Sequence, residues 1–461
     1  MYRNDLKIFF LGIGGIGMSG IAEVLKSLNY NVMGSDVSDS DTLRRLRSLD
    51  IPVFVGHNSE RIKFFCPDVV VASSAITPDN LEILEAKKLG IPIIRRQTML
   101  AELMRLKYGI AVSGAHGKTT TTSLIAHVLH KACFDPTIVL GGRLKKTGQN
   151  AALGGGPFIV VEADESDRSF LSLSPSIAVV TNIDKEHLNS YDNSFEALKN
   201  AFVAFMEKVP FYGLAVYCSD DPIVSEISKR VDRRKISYGL SEYANIRARD
   251  VQIKKLGLSA EVYAFRDHLG SISLNIPGIY NLRNALASVV VGRELGIGFT
   301  TIASALSTFG GIERRFEIKL EINGLCIIED YAHHPTEIKI TLETLINEYP
   351  AKKKRLVFQP HRYSRVSSLF DEFTTCFNGI DELIILPTYA ASEPYLESGD
   401  SSRLFERILN LNSFSCRMAT NYEELLVALK ENIEEPQVIA FVGAGDIGKL
   451  VNRFVQELKD A

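Results

Sequence analysis

The sequence predicts an α/β protein of three domains: an N-terminal Rossmann-like domain, a central P-loop-type mononucleotide-binding domain and a C-terminal Rossmann-like domain. Three segments each contain a short apolar run, typical of parallel strands that are covered on both faces. Glycine-rich turns follow the first two of these runs and lead into helical patterns. The length of 461 residues agrees with several domains, at about 100–200 residues per domain.

The N-terminal domain is expected to span residues 1–106 and to hold a doubly wound sheet. Strands are expected at 7–11, 31–34, 68–72 and 91–94, with a helix from 16 to 28 after the first of them. The alternation of short apolar runs with helical stretches is typical of β-α-β units, whose strands run parallel.

The central domain is expected at 107–311 and the C-terminal domain at 312–461, with Gly310 and Gly311 as a flexible joint. Central strands are expected at 108–112, 158–162 and 177–181, with a helix from about 118 to 131. C-terminal strands are expected at 325–328, 356–358, 383–386 and 438–442. Ligands of open α/β sheets bind at the carboxyl ends of strands, so polar side chains at those ends form the candidate site.

Composition and charge exclude several classes of protein. The net charge of −3 gives no general attraction to nucleic acid or to an anionic membrane. No segment reaches the roughly 18 apolar residues that a membrane span needs, and the apolar run near the N-terminus is too short for a signal peptide. The six cysteines are scattered without a CxxC pair, which indicates reduced thiols in a cytoplasmic protein.

The strongest local motif is a glycine loop between the strand at 108–112 and the next helix. It comprises Gly114, Ala115, His116, Gly117, Lys118, Thr119 and Thr120. Successive backbone N–H groups and the helix N-terminus form a cradle for anions, so the loop predicts a nucleotide site. Lys118 can reach the outer phosphates, and the Thr119 hydroxyl can ligate Mg²⁺. Val112 stands where the usual P-loop has its first glycine, so the loop is a shortened variant.

Acidic side chains follow the strand at 158–162. Four carboxylates lie within the six residues 162–167, and Glu162 is the first of them. Carboxylates at a strand end beside a phosphate loop can hold Mg²⁺. The strand at 177–181 leads to His187, which is either a metal ligand or a histidine that caps the following segment.

The glycines at 12–17 match the pattern GxGxxG after a strand, and Asp36 lies about 20 residues further on. This pattern predicts a site for a diphosphate, with Asp36 placed to bind a ribose hydroxyl. A nicotinamide-dependent oxidoreductase is therefore an alternative, although it leaves the GKTTT loop and the acidic strand end unexplained. A second GxGxxG at 443–448 is interpreted as a tight turn between a strand and a helix.

Two polar clusters follow strands of the third domain. One contains Asp330, His333 and His334, and the other contains His361 with two arginines at 362 and 365. Adjacent histidines on an extended chain point to opposite faces, so both cannot easily bind one ion. The two arginines are suited to bind a carboxylate or a phosphate, because a guanidinium can donate two parallel hydrogen bonds to either group.

Together these motifs resemble the Mur ligase family along the whole chain. The matching segments are GIGGIGMSG at 12–20, SGAHGKTTTT at 113–122, EADESDRSF at 162–170, TNIDKEHL at 181–188, GIYNLRNALA at 278–287, ERRFE at 313–317, DYAHHPTEI at 330–338 and FQPHRYSR at 358–365. Their order and spacing are those of the family.

The resemblance implies a set of residues for each ligand. For the UDP-sugar they are Gly14, Gly15, Ile16, Gly17, Asp36, Ser73, Ser74 and Arg95, with Arg96 as an addition. For ATP they are the loop residues Gly114 to Thr120, Asn281 and Asn284 near the adenine, Arg314 or Arg315, and Asp330. For the amino acid they are His333, His361, Arg362 and Arg365. Thr119 and Glu162 would hold one Mg²⁺, and Glu162 with His187 a second. The implied catalytic residues are Lys118, Glu162, His187, Arg362 and Arg365.

The resemblance also implies an activity, the ATP-dependent ligation of L-alanine to UDP-N-acetylmuramate through an acyl phosphate in peptidoglycan precursor synthesis. One alternative is an ATPase without ligase activity. Another is the family activity that adds a preformed tripeptide to the same UDP-sugar. Members with that activity typically carry Tyr at the position of Ser166 and lack the run HRYSR at 361–365, so both features favour L-alanine.

One position departs from the pattern of several relatives. These carry a carbamylated lysine on the helix after the His187 motif, where it helps to hold the second Mg²⁺. The matching position here is Phe202, which can be neither carbamylated nor a ligand. Lys199 lies nearly one helical turn away and is interpreted as a solvated surface lysine. A second metal would then be held by His187, Glu162 and water, without a carbamate.

Overall fold

A computed structural model of the chain describes residues 6–73, 75–140, 151–391, 393–411, 414–431, 433 and 435–460. They form sheets of five, ten and six strands. The chain divides into two compact units, a first of Met1–Lys254 with Leu258–Gly310 and a second of Lys255–Gly257 with Gly311–Ala461. Within the described ranges, no helix is both long and apolar enough to cross a bilayer.

The first sheet belongs to the N-terminal part of the first unit. Its strands are β1 (Lys7–Leu11), β2 (Asn31–Asp36), β3 (Val53–Val55), β4 (Val69–Ala72) and β5 (Ile93–Arg95). The helices between them are α1 (Ile16–Ser27), α2 (Asp41–Ser48), α3 (Ser59–Phe65), α4 (Leu81–Lys88) and α5 (Arg96–Met104). The order is β3-β2-β1-β4-β5 with all neighbours parallel, so the strand order reverses at β1 and opens a crevice beside its carboxyl end.

The second sheet completes the first unit. Its strands are β6 (Tyr108–Ser113), β7 (Thr137–Val139), β8 (Ala151–Ala152), β9 (Phe158–Glu162), β10 (Ile177–Val180), β11 (Leu214–Cys218), β12 (Lys235–Gly239), β13 (Ile246–Lys254), β14 (Gly257–Ala264) and β15 (Asp267–Leu274). Its helices are α6 (Lys118–Lys131), α7 (Phe195–Glu207), α8 (Pro222–Ser228), α9 (Ile279–Glu294) and α10 (Phe299–Ser307). The order is β15-β14-β13-β12-β11-β10-β6-β9-β7-β8.

The centre of this sheet brings the predicted phosphate loop and acidic segment together. Strand β6 lies between β9 and β10, and all three run parallel. Val112 pairs with Glu162 on one side, and Ser113 pairs with Val180 on the other. The segments that follow β6, β9 and β10 therefore leave the sheet at the same edge.

The third sheet lies in the second unit. Its strands are β16 (Glu317–Ile322), β17 (Leu325–Asp330), β18 (Lys353–Phe358), β19 (Glu382–Ile385), β20 (Ser415–Met418) and β21 (Gln437–Val442). Its helices are α11 (Pro335–Glu348), α12 (Tyr363–Ser368), α13 (Phe370–Thr374), α14 (Ser401–Leu411), α15 (Tyr422–Lys430) and α16 (Ile447–Asp460). The order is β16-β17-β21-β18-β19-β20, and only β16 runs antiparallel to its neighbour among these described strands.

Candidate active site

The phosphate loop takes a backbone conformation that requires glycine at two positions. Gly114 has a φ of +140° and Gly117 a φ of +78°. A Cβ atom on Gly114 would lie 2.1 Å from the Thr181 hydroxyl, and one on Gly117 would lie 2.7 Å from the Asn284 side-chain oxygen. Side chains at these positions would therefore both strain the backbone and collide with the loop's neighbours.

Two residues after β10 hold the loop in place. The His116 amide donates to the Asn182 side-chain oxygen at 2.7 Å. The Thr181 hydroxyl and the Asn182 side-chain amide donate to the His116 carbonyl at 2.7 and 2.9 Å. Thr181 and Asn182 were not among the predicted site residues, although they lie at the end of a buried strand, where ligand contacts are expected.

Lys118 lies at the start of α6 with its side chain folded against the loop. Its Nζ donates to the Gly114 carbonyl at 2.6 Å, to the Ala115 carbonyl at 3.0 Å and to Glu165 Oε1 at 2.9 Å. Burial alone would lower the pKa of Lys118, but nearby carboxylates, Glu165 above all, outweigh it and raise that pKa. The lysine is therefore a permanent cation at the mouth of the loop.

Thr119 and Glu162 form the next contact along the loop. The Thr119 hydroxyl donates to Glu162 Oε2 at 2.9 Å, and Thr119 is buried. The structure thus brings together the two residues predicted to hold one Mg²⁺. A hydroxyl and a carboxylate are hard oxygen donors of the kind that Mg²⁺ prefers, so this pair fits the ion.

His187 follows β10 in a left-handed conformation, with a φ of +56°, just before a 3₁₀ turn at Leu188–Tyr191. Its side chain makes no capping hydrogen bond to that turn. Its Nε2 atom lies 3.5 Å from Glu186 Oε2. Glu186 also lies 3.5 Å from the Nε2 atom of His116 in the phosphate loop. His187 is therefore linked to the loop through one shared carboxylate.

Asn281 and Asn284 lie on α9, which packs against the loop helix α6. The Thr121 hydroxyl donates to the Asn284 side-chain oxygen at 3.1 Å, and the Asn281 side chain donates to the Pro277 carbonyl at 2.7 Å. Both asparagines are buried. Thr120, the last residue of the predicted loop, is buried in the first turn of α6.

The glycine loop after β1 is held by the end of β2. The Gly12 and Ile13 amides donate to the Ser35 carbonyl at 2.8 and 3.1 Å, and the Gly14 amide donates to Asp36 Oδ2 at 2.8 Å. Helix α1 begins directly after Gly15, with no side-chain cap and no acidic residue in its first turn. The N-terminal end of α1 therefore keeps the positive potential that favours an anion.

The other residues predicted for the UDP-sugar lie around this loop with different exposure. A Cβ atom on Gly12 would lie 3.0 Å from the Cβ atom of Ser73, and one on Gly17 would collide with the Arg96 guanidinium. Arg95 is exposed at the end of β5. Ser74 and the side chain of Ile16 lie outside the described parts of the chain.

The second unit brings His333, His361 and Arg365 together, as predicted for a shared site. The rings of His333 and His361 lie 6.0 Å apart. Arg365 donates to His361 Nδ1 at 3.1 Å, and Tyr389 stacks on the His361 ring at 5.6 Å. Arg362 is exposed, and its amide donates to the Tyr389 carbonyl at 2.8 Å.

Both histidines of this cluster are neutral at physiological pH. Burial, above all, lowers the pKa of His333 to about 3. Burial and the charges of Arg365 and Arg362 lower the pKa of His361 to about 4. The bond from Arg365 agrees with this state, because an arginine can only donate and the receiving His361 nitrogen must carry no proton.

Arg314 and Asp330, both predicted for ATP, make close contacts within the second unit. Arg314 donates to the carbonyls of Gly443 and Gly445 in the second glycine turn, at 2.9 and 3.2 Å, and pairs with Glu329 at 2.7 Å. The Asp330 carboxylate accepts backbone bonds from Phe316 and Ala332, each at 2.7 Å. These contacts give both side chains a structural role that the sequence analysis did not assign.

Lys199 corrects one expectation. It is not a solvated surface lysine, because its side chain is only 13% exposed and its Nζ donates to Glu226 at 3.1 Å. Phe202 is buried and packs edge-on against Phe170, with ring centroids 5.2 Å apart. Phe202 is therefore a core residue of α7.

Three family descriptions match successive parts of the chain. The description "Mur ligase family, catalytic domain" matches residues 7–108, "Mur ligase middle domain" matches 112–292, and "Mur ligase, glutamate ligase domain" matches 314–445. The chain belongs to the Mur ligase family. Among Mur ligases, the UDP-N-acetylmuramate–L-alanine ligase of Trichlorobacter lovleyi is 47% identical over 99% of this chain and 100% of its own length. The enzyme of the same name from Desulfatibacillum aliphaticivorans is 46% identical over 99% of each chain.

Two solved structures share the fold of this chain. The UDP-N-acetylmuramate-alanine ligase of Thermotoga maritima superposes with a TM-score of 0.84 at 30% identity and covers 99% of both chains. A murein peptide ligase from Psychrobacter arcticus gives a TM-score of 0.72 at 20% identity, over 99% of both chains. The second likeness concerns the fold alone.

Proposed function

We propose that this Mur ligase joins L-alanine to UDP-N-acetylmuramate at the expense of ATP, giving UDP-N-acetylmuramoyl-L-alanine, ADP and phosphate. Full-length relatives at 46–47% identity carry the name of this activity. The structural observation that carries the proposal is the phosphate loop with Lys118 beside the Thr119–Glu162 pair. This arrangement suits phosphoryl transfer, the chemistry that any carboxylate–amine ligase driven by ATP requires.

The first step activates the carboxylate of the sugar. A carboxylate is a poor electrophile, because its substitution would expel an oxide ion. One carboxylate oxygen attacks the γ-phosphorus of ATP, the bond to the β,γ-bridging oxygen breaks, and ADP leaves. The product is an acyl phosphate. Lys118 neutralises negative charge on the phosphates during this transfer, and the loop amides hold them in line.

The second step forms the amide bond. The alanine amine attacks the acyl carbon, and the resulting tetrahedral intermediate expels phosphate after the nitrogen loses a proton. In this proposal His333, His361, Arg362 and Arg365 bind the amino acid. Arg362 and Arg365 suit its carboxylate, because a guanidinium can donate two parallel hydrogen bonds to one carboxylate. The two neutral histidines add no competing charge to that site.

Thr119 and Glu162 are proposed to hold one Mg²⁺, and Glu162 with His187 a second. The oxygen atoms of Thr119 and Glu162 suit the ion, and the 2.9 Å contact between these two side chains places two donors side by side. When bound, Mg²⁺ would neutralise charge on the transferred phosphoryl group and its leaving group.

The remaining residues are proposed to bind the UDP-sugar or ATP. Gly14, Gly15, Ile16, Gly17, Asp36, Ser73, Ser74 and Arg95 are proposed for the UDP-sugar, and Asn281, Asn284, Arg314 and Asp330 join the loop 114–120 for ATP. The uncapped start of α1 beside Gly15 supports the diphosphate part of this assignment. For Asn281, Asn284, Arg314 and Asp330 the assignment rests on the family resemblance, since their contacts are with the protein itself.

The proposed domains are 1–106 for the UDP-sugar, 107–311 for ATP and 312–461 for the amino acid. The ranges matched by the three family descriptions support these boundaries. The reaction consumes ATP, so we place the enzyme in the cytoplasm, where ATP is held.

Product analysis tests this proposal. The purified protein is incubated with UDP-N-acetylmuramate, ATP, Mg²⁺ and one amino acid at a time, and the masses of the products are measured by mass spectrometry. The expected product is UDP-N-acetylmuramoyl-L-alanine, with glycine and L-serine used less well. A missing methyl group is worth only about 1–3 kcal/mol, so that preference should be modest. Turnover with the tripeptide but not with L-alanine would contradict the proposal.

A further inference from the structure

A polar cluster around one buried carboxylate lies next to the strand end that holds the glycine loop of the first sheet, outside the residues assigned so far. It comprises Ser35 on β2, His57 after β3, Arg61 on α3 and Glu82 in the first turn of α4. Glu82 is 0% exposed. A fully buried carboxylate is costly unless it is paired, so its contacts indicate what it does.

Glu82 contacts β2, the strand whose end holds the glycine loop. Its Oε2 atom accepts a bond of 2.6 Å from the Ser35 hydroxyl and lies 2.7 Å from His57 Nδ1. The Ser35 hydroxyl lies 3.0 Å from the same His57 nitrogen. Arg61 lies 3.7 Å from the other Glu82 oxygen and supplies the balancing charge. The three side chains Ser35, His57 and Glu82 therefore form one closed set of contacts.

Ser35 transmits this arrangement to the loop. Its carbonyl accepts the amides of Gly12 and Ile13, and the next residue, Asp36, accepts the amide of Gly14. Ser35 also pairs with Leu11, the last residue of β1 before the loop. Three successive loop amides are thus oriented by two residues, and the side chain of one of them is fixed by Glu82.

We propose that Glu82 is a positioning residue for the UDP-sugar: it fixes Ser35, and Ser35 sets the orientation of the glycine loop. This inference rests on the proposed function, which places the diphosphate at that loop. Stability alone does not require a buried carboxylate here, because well-packed apolar residues often replace buried ion pairs without loss of stability.

Substitution of Glu82 tests the proposal, because a positioning role should raise the KM for the UDP-sugar and leave kcat and the KM for ATP nearly unchanged. E82Q keeps the volume, but its one amide oxygen can accept from Ser35 and His57 only if its NH2 group faces the Arg61 guanidinium, which is also a donor. A small displacement of a binding group can cost up to about a hundredfold, so we expect E82Q to raise KM for UDP-N-acetylmuramate about tenfold. The kcat and the KM for ATP should stay within about twofold, because the phosphate loop is held by Thr181 and Asn182 instead.

The matched control is E23Q. Glu23 lies on α1 in the same domain, is 8% exposed and pairs with Arg45 on α2 at 2.7 Å. We expect E23Q to lower thermal stability without changing the KM for the UDP-sugar. S35A should raise that KM as well, and the E82Q/S35A double variant should show less than the sum of the two effects.

Two further measurements distinguish a structural role of Glu82 from a positioning role. E82L fills a similar space without charge; it should still fold, with a lower free energy of unfolding because Ser35 and Arg61 lose a partner, and it should bind the UDP-sugar more weakly than the unaltered protein. Direct calorimetric binding of UDP-N-acetylmuramate to the unaltered protein tests the proposed function itself. If the unaltered protein binds and E82Q and E82L bind equally well, Glu82 is structural and the inference is overturned. If the unaltered protein does not bind UDP-N-acetylmuramate, the proposed function is contradicted, and the inference that rests on it is overturned as well.

Discussion

The ammonium group of Lys118 donates a hydrogen bond of 2.9 Å to the carboxylate of Glu165, and both side chains are largely buried. Burial is the main reason that the pKa of Glu165 is raised, while the positive charge of Lys118 opposes that rise. Lys118 therefore has a partner inside the protein, in addition to the phosphates that it is proposed to meet. Its loss should affect stability as well as turnover.

K118M is expected to abolish turnover and to lower the free energy of unfolding. Removal of one partner of a buried pair costs up to about 3–5 kcal/mol, although protonation of Glu165 would relieve part of it. The double variant K118M/E165Q should regain most of that stability and remain inactive, because the unpaired carboxylate is gone but the phosphate contact is still missing. Chemical denaturation and phosphate release measure the two effects separately. More than a few per cent of the original kcat in K118M would contradict the assigned role.

E162Q is expected to weaken activity and metal dependence together. The substitution keeps the shape of the side chain beside Thr119 but removes its charge. Even groups that only support a metal ligand are worth about 10- to 100-fold in metal affinity, so the Mg²⁺ concentration for half-maximal rate should rise at least tenfold. D167N is the matched control in the same acidic segment. An unchanged Mg²⁺ titration in E162Q would show that Glu162 is not a ligand.

Stability should fall as the pH is lowered below about 6.5, through the buried histidines of the second unit. The pKa values of His333 and His361 are about 3 and 4 in the folded protein, against an ordinary value of 6.5. The unfolded chain therefore binds more protons between about pH 4 and 6.5, so the free energy of unfolding decreases as pH falls through that window. Above it, this contribution is fully present. H361Q should flatten the dependence, and H130Q, at an exposed histidine of α6, should leave it unchanged.

K199A should leave kcat close to that of the unaltered protein, and added bicarbonate should have no effect on either protein. Lys199 is paired with Glu226, and its neighbour Phe202 belongs to the core, so neither offers a carbamate to a metal. The loss of one partly exposed ion pair costs at most about 1 kcal/mol. Loss of activity in K199A with rescue by bicarbonate or a short-chain carboxylic acid would overturn this interpretation.

The parts of the site that follow from local sequence were predictable. Helix α6 begins at Lys118 and ends at Lys131 as expected, because a glycine loop between an apolar run and a helical pattern needs no knowledge of distant residues. Several strands were missed, among them the short β3, β7 and β8 and the longer β11 to β15. Strands β3, β7 and β8 are only two or three residues long and give no clear periodicity.

Contacts that depend on strand order could not be predicted. Thr181 and Asn182 hold the phosphate loop only because β10 lies beside β6, and the sequence does not state which strands are neighbours. For the same reason the contacts of Arg314 with the glycine turn after β21 were not predictable, because β21 is inserted between β17 and β18. Lys199 was misjudged because its partner Glu226 lies on another helix, α8.

The fate of the carboxylate oxygen of UDP-N-acetylmuramate tests the proposed reaction most directly. The substrate is labelled with the heavy oxygen isotope in that carboxylate and is incubated with ATP, Mg²⁺, L-alanine and the protein. An acyl phosphate requires one labelled oxygen to pass to phosphorus, so the released phosphate should carry one label for each molecule of UDP-N-acetylmuramoyl-L-alanine formed. Phosphate that carries no label, or phosphate released at the same rate without L-alanine and without the UDP-sugar, would contradict the account.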